Sequence, residues 1–338
     1  MGVYQDSSIV AADLRPKEVS HVAKIGYFLS CEEWGPKELI EQARMAEEAG
    51  FEGLWISDHY HPWSDEQGNS PFVWSVIGGL SQATSLPITT GVTCPTMRIH
   101  PAIIAQAAAT SKVMMGGRFS LGVGTGENLN EHVLGDHWPQ TNVRLQMLEE
   151  AIEVMRLLWE GGTKSHHGKH YTVENARLYT LPDEPPDVLI SGFGPKSTRL
   201  AGRIGDGYCH TAPDAEMLSL FRESGGRNKP AHAGTKVCWG EDEAAARKTS
   251  HRLWPNELLP GELAQELPTP RHFEQVSSLV TEEMVGEAVP CGPDPEKHLE
   301  SIHQYIDAGY DEVYVQQIGP AQEGFFRFYE REVLPKLR

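Results

Sequence analysis

From residue 24 onward, short apolar runs alternate with stretches of helical period. KIGYFLS at 24–30 reads as a buried strand, and Gly35-Pro36 then opens a helix that runs to Ala49 and stops at Gly50. GLWIS at 53–57 predicts the second strand and 71–84 its helix. ITTGVT at 88–93 precedes a helix over 101–114, and FSLGVG at 119–124 precedes one near 143–159. In that last segment Leu145, Leu148, Ile152, Met155 and Trp159 step by three and four residues, so they share one face, as on a helix packed against a core. The alternation continues through VLISGFG at 188–194, GYCHT at 207–211, TKVCW at 235–239 and EVYVQQ at 312–317, with a helical tail beyond.

The runs are continuously apolar, so both faces of each strand are covered, as in a parallel sheet flanked by helices. Eight such units predict an α/β fold, a closed (β/α)8 barrel in preference to an open doubly wound sheet. Two segments break the rhythm. Residues 163–181 predict a hairpin, and 254–290, long, Pro-punctuated and rich in Glu and Leu, predicts an insertion that shapes a pocket or an interface. With no repeat, low-complexity tract or linker, 1–338 reads as one barrel domain carrying both.

Charge narrows the partners. Against 29 Lys and Arg stand 47 Asp and Glu, a net charge of −18 over 338 residues. Nucleic acid and anionic membranes both demand a basic face, and neither is expected as a partner. Cys31, Cys94, Cys209, Cys238 and Cys291 are odd in number, widely spaced and without a CxxC pair. That is the pattern of reduced cytoplasmic thiols, not of a disulfide framework or a zinc cage. The first twenty residues lack the basic and apolar regions of a signal peptide, Asp6 stands where a myristoylation signal needs Ser or Thr, and no apolar stretch is long enough to span a membrane. A cytoplasmic protein is expected.

In a barrel the carboxyl ends of the strands carry the chemistry. Here those ends read Ser57-Asp58-His59-Tyr60-His61-Pro62-Trp63, then 93–98, 124–132, 191–197 and His210-Thr211. A histidine with a carboxylate of tunable pKa suits proton transfer. Gly124, Gly126, Gly192 and Gly194 would let backbone N–H groups approach an anionic or planar ligand. The glycines of GVGTGENLN are not spaced G-x-G-x-x-G and fall on the fourth run, which argues against a dinucleotide fold, and Gly194-Pro195-Lys196-Ser197 lacks the upstream glycine of a P-loop. His59 and His61 could share a metal, but the eighth run ends in Val315-Gln316-Gln317 without an aspartate, so no metal is expected.

SDHYHPW, GVTCPTMRIHPA, GRFSLGVGTGENLN, VLISGFGPKSTRLAGRIGDGY and PDPEKHLESIHQYIDAGYDEVYV, in that order, span nearly the whole chain. Together they resemble the coenzyme F420-dependent glucose-6-phosphate dehydrogenase family of the bacterial luciferase-like superfamily. The resemblance implies an oxidoreductase that moves a hydride between an alcohol carbon and C5 of the deazaflavin, acting on a small alcohol or ketone, and a homodimer. It makes His59 the base for the hydroxyl proton, Trp63 a neighbour of the reacting centre, and Glu127 the acid toward N1 of the cofactor. That last role requires a raised pKa, which burial beside an apolar ring would supply. Asp58, Gly91, Val92, Cys94, Thr125, Gly126, Asn130, Ser191, Gly192, Phe193, Gly194 and Pro195 match cofactor-lining positions, and the family's non-prolyl cis peptide would join Gly91 to Val92.

The departures are as informative. Where sugar-phosphate members place the first of three phosphate-gripping cations, this chain has Asp214, and no Lys or Arg occurs between Arg271 and Lys297, where the other two are expected. Without those charge-assisted bonds glucose 6-phosphate is expected to be a poor substrate. Trp254, Leu258, Leu259, Leu263, Leu267 and Phe273 either form an apolar mouth for an uncharged, terpenoid- or lipid-like secondary alcohol or pack the insertion onto the barrel. An FMN-dependent monooxygenase, a sugar-6-phosphate dehydrogenase and a non-catalytic ligand-binding barrel remain as alternatives, though a pure binder needs neither His59 nor Glu127.

Overall fold

The computed structural model describes residues 23–338; the expectations about a signal peptide and myristoylation fall on 1–22, outside the described residues. Ten strands follow in order: β1 (Lys24–Leu29), β2 (Leu54–Ile56), β3 (Ile88–Thr90), β4 (Phe119–Val123), β5 (Lys164–His167), β6 (Thr172–Ala176), β7 (Val188–Ser191), β8 (Gly207–His210), β9 (Ala231–Val237) and β10 (Glu312–Gln317). Eight of them close into a barrel in the order β1-β10-β9-β8-β7-β4-β3-β2, every neighbour parallel. This is the (β/α)8 barrel that the continuous apolar runs predict, with helices covering the outside of each strand.

Local chemistry sets the element ends. The helix Pro36–Ala49 has proline in its first turn and stops at Gly50, whose φ of 91° lets its N–H reach the carbonyls of Ala46 and Glu47. Inside the barrel, Phe28, Trp55, Leu189, Cys209 and Tyr314 form a plug, with Trp55 stacked on Tyr314 at 4.8 Å between ring centroids. Gly26 makes room for it: a Cβ there would lie 2.3 Å from the Tyr314 ring.

Strand β9 departs from the expected 235–239. It begins at Ala231 and ends at Val237. His232 and Gly234 do not read as strand-core residues, yet both pack against the plug: His232 lies 5.7 Å from the Tyr314 ring, and a Cβ on Gly234 would come within 3.0 Å of Trp55. Plug geometry, not apolarity, selects them.

The 163–181 excursion is the antiparallel hairpin β5-β6, held to the helix Thr141–Trp159 by Glu150, which accepts backbone N–H bonds from His170 and Tyr171. The 254–290 insertion is a chain of short helices, Leu263–Glu266, Pro270–Ser277 and Glu282–Ala288 among them. Trp254, Val280, Val285 and Val289 pack with Leu253, Cys238, Cys291 and Ile318, and Leu258 and Leu259 lie against that cluster. Trp254 and Phe273 are 2% and 1% exposed. The apolar residues of the insertion are therefore in large part packing. Burying a side chain of this size contributes about 1.5–3 kcal/mol, which holds in place a segment with no long helix of its own. Among the described residues, no helix is long and apolar enough to cross a membrane.

Candidate active site

The loop after β1 carries two consecutive buried carboxylates, Glu32 and Glu33, that strand-end reasoning over the second to sixth runs passes over. Ser30 and Ser57 donate their hydroxyls to Glu32 Oε2 at 2.9 and 2.7 Å. The other oxygen, Oε1, lies 3.4 Å from His59 Nε2. Burial by itself would raise the pKa of Glu32, but the facing His59 and the two hydroxyls outweigh it and hold the carboxyl below its ordinary value. Glu32 is thus an anion aimed at the imidazole.

The other side of that ring is equally constrained. His59 Nδ1 is 3.1 Å from the His61 carbonyl and 3.1 Å from Asn130 Nδ2. Nδ1 either donates to the His61 carbonyl or accepts from the Asn130 amide, as the tautomer decides; with Nδ1 protonated, Nε2 keeps its lone pair beside the Glu32 carboxylate, which would stabilise an imidazolium. Asn130 is buried; its Oδ1 accepts from the backbone N–H of Tyr60 and His61, and its Nδ2 lies 3.3 Å from Glu127 Oε2. One buried amide therefore stands between His59, the base expected on the second strand-end loop, and Glu127, the acid expected on the fourth. Trp63 packs 4.9 Å from His59 and 5.0 Å from Phe273, so the insertion backs the aromatic wall of the site.

Beside this cluster opens a cavity of about 850 Å3, walled by Val92, Thr125, Gly126, Glu127 and the segment Ser191, Gly192, Phe193, Gly194 and Pro195, with Lys196 and Arg199 farther out. The peptide bond between Gly91 and Val92 is cis, as the resemblance implies. Asp58, Gly91, Cys94 and Asn130 stand behind this wall. Asp58 accepts from Thr93 Oγ1 and Arg98 Nη2, each at 2.8 Å; a Cβ on Gly91 would meet Trp55 at 3.1 Å, and one on Gly126 would meet Cys94 Sγ at 2.6 Å. Glu127 is only half-buried, so the protein by itself does not supply the apolar enclosure expected around it.

Four more ionisable groups, Arg98, Glu131, Glu33 and Lys236, depend on tertiary contact. Arg98 pairs with Asp58 and reaches Glu131 at 3.5 Å; burial pushes Glu131 up to about 7 in spite of that cation. Burial likewise pushes Glu33 up to about 7, where it accepts from Trp254 Nε1 at 2.5 Å, Gln316 Nε2 at 3.3 Å and the Gly319 N–H at 2.9 Å. Lys236, on β9, pairs with Glu257 of the insertion at 2.7 Å and sits 4.5 Å over the Trp254 ring. Asp214 caps the helix Ala215–Phe221 by accepting from the Met217 N–H, so its carboxylate serves the fold first. Among the described residues, no group of three His, Cys, Asp or Glu side chains is placed to hold a metal.

The family model for luciferase-like monooxygenases matches residues 21–312. The chain belongs to this family. Within the luciferase-like family its sequence is 36% identical over 329 residues to the F420-dependent glucose-6-phosphate dehydrogenase of Microbacterium testaceum, covering 93% of this chain and 97% of that one. It is 34% identical to the protein of the same name from Nakamurella multipartita, covering 93% and 96%. The solved structure of an F420-dependent secondary alcohol dehydrogenase in complex with an F420-acetone adduct superposes with a TM-score of 0.86 at 31% identity, over 94% of this chain and 99% of that one. A coenzyme F420-dependent tetrahydromethanopterin reductase from Methanopyrus kandleri shares the luciferase-like fold, with a TM-score of 0.74 at 21% identity.

Proposed function

We propose that the protein is an F420-dependent oxidoreductase that interconverts an uncharged secondary alcohol and its ketone. The observation that carries this reading is the cluster of Glu32, His59, Asn130 and Glu127 beside the cavity, with the base His59 and the acid Glu127 on either side of one buried amide. The cavity fits the cofactor: Gly194 leaves open space where a Cβ would stand, the N-terminal end of the helix Pro195–Ile204 lies there, and Lys196 and Arg199 offer charge to an anionic arm. When bound, the deazaflavin supplies a hydride acceptor at C5. His59 Nε2 takes the hydroxyl proton of the alcohol, Glu32 stabilises the resulting imidazolium, Glu127 holds a proton beside the ring nitrogen, and Trp63 excludes water from the reacting carbon.

The substrate class follows from the cations. Asp214 stands where the first phosphate-binding lysine is expected, and the stretch from His272 to Glu296 contains no Lys or Arg. Lys236 is taken up by Glu257. With Lys196 and Arg199 given to the anionic arm of the cofactor, none of these positions offers a cation to a substrate phosphate, although the names of the sequence relatives favour the sugar phosphate as the second reading. In a fluorescence titration of the purified protein, F420 is expected to bind tightly and FMN weakly; preference for FMN would move the protein to oxygen-using chemistry. Steady-state rates should then favour neutral secondary alcohols, and faster turnover of glucose 6-phosphate would reverse the substrate assignment.

Glu127→Gln is expected to slow the hydride step by about 10²-fold or more, since removing a positioned acid or base typically costs 10²–10⁴-fold. It should also flatten one limb of the pH–rate profile. A profile identical to wild type would take the acid role away from Glu127.

A further inference from the structure

Strand β9 ends at Val237, and the next residue, Cys238, forms a parallel bridge with Cys291, where the chain returns from the insertion. The Cys238 N–H donates to the Pro290 carbonyl at 2.9 Å, and the Gly292 N–H donates to the Cys238 carbonyl at 3.0 Å. Neighbouring strands lie about 4.7–4.9 Å apart, inside the Cα separation of about 4.4–6.8 Å that a disulfide spans. Paired residues of a parallel bridge present their side chains on the same face, so the bridge sets the two thiols side by side. The sequence spacing of 53 residues hides this pairing completely.

The two sulfurs are not equivalent. Both are buried, but Cys238 contacts the carbonyls of Ala246 at 3.1 Å and Ile318 at 3.5 Å. Cys291 borders a cavity of about 440 Å3 that Arg247, Lys297 and Glu243 also line. The neighbouring Cys238, with help from the cations Arg247 and Lys297, holds the Cys291 thiol below its ordinary value, against burial and Glu243. Burial first of all pushes Cys31, Cys94 and Cys209 up, which keeps them protonated and inert.

We propose that Cys291 and Cys238 are a peroxide-reactive pair, Cys291 the attacking thiol and Cys238 the resolving one, whose disulfide fastens the insertion to the end of β9. The Cys291 thiolate attacks one oxygen of a hydroperoxide and the O–O bond breaks. With hydrogen peroxide, the departing hydroxide takes a proton and leaves as water, and Cys291 becomes a sulfenic acid. Cys238 then attacks the Cys291 sulfur as it gives up its proton, the S–S bond forms, and a second water leaves. Two thiols are oxidised by two electrons and one peroxide is reduced; a dithiol reverses the step. The segment so fastened carries Trp254 and Phe273, which contact Glu33 and Trp63, so the oxidation state is read at the wall of the active site.

Peptide mapping tests this on the native full-length chain. The protein is exposed to a small excess of hydrogen peroxide, blocked with an alkylating agent, digested without reductant and analysed by mass spectrometry. The expected product is a cross-linked pair of peptides holding Cys238 and Cys291, two hydrogens lighter than their sum and separated by dithiothreitol, with Cys31, Cys94 and Cys209 alkylated only after denaturation. Cys238→Ser should leave Cys291 as a sulfenic acid that dimedone captures, and Cys291→Ser should abolish peroxide consumption. A different pairing overturns the proposal, and so do two thiols still alkylatable after peroxide, or a Cys291→Ser variant that consumes peroxide like wild type.

Discussion

His59→Ala is expected to cut alcohol oxidation by about 10²–10⁴-fold, the usual worth of a positioned general base, while F420 binds nearly as tightly as to wild type. The two effects separate because of where the imidazole sits. It is held between Glu32 and Asn130 and does not line the cavity assigned to the cofactor, so its loss removes a proton acceptor and leaves the ring's cradle intact. Single-turnover kinetics read the first quantity and fluorescence titration the second. A variant with near-normal turnover would refute the base assignment, and one that loses F420 affinity in parallel would make His59 part of the cofactor wall instead.

Arg98→Ala should be the most destabilising single change near the site, by about 3–5 kcal/mol, because it strands two buried carboxylates. The side chains of Arg98, Asp58 and Glu131 are 7%, 0% and 1% exposed. The deficit should depend on pH in a definite sense. In the native protein Glu131 keeps its proton up to about pH 7, against an ordinary value of 4.5. The folded form therefore binds more protons than the unfolded chain across that window, and this group's contribution to stability falls as pH rises through it. Without Arg98 the folded-state value moves higher still. Variant and wild type then both hold Glu131 protonated near pH 5, but above pH 7 only wild type has a cation to offset the ionised form. Urea denaturation at pH 5 and pH 8 should show the larger gap at pH 8; equal gaps would mean that Glu131 is not coupled to Arg98.

Much of the site is legible before folding because a barrel converts sequence position into place. Asp58, His59 and Trp63 follow the second apolar run and Glu127 the fourth, so a single topological rule puts them on one rim. Glu32 and Glu33 were open to the same rule, since they follow the first run directly. They are passed over because two acids beside a strand end read as solvated charge, and only the contacts with Ser30, Ser57 and Trp254 show that both are buried. The insertion is a similar case: its leucines and aromatics are visible in composition, but whether they line a mouth or pack depends on Ile318 and Cys238, which come from the strand ends on either side.

Periodicity, caps and turn residues act over one helical turn or one strand, and by themselves they determine the eight barrel units, the hairpin and the chain position of the proposed base and acid. The start of β9, the cluster of Glu32, His59, Asn130 and Glu127, the cations engaged by Asp58 and Glu257, and the facing thiols of Cys238 and Cys291 were decided only by tertiary structure. Each joins residues whose separation along the chain carries no periodic signal, or is selected by the shape of the aromatic plug. Burial then changes what such groups do: a carboxyl that reads as a surface anion holds its proton to about pH 7 at Glu33 and Glu131, because the cost of keeping charge out of water is set by surroundings that exist only once the barrel has closed.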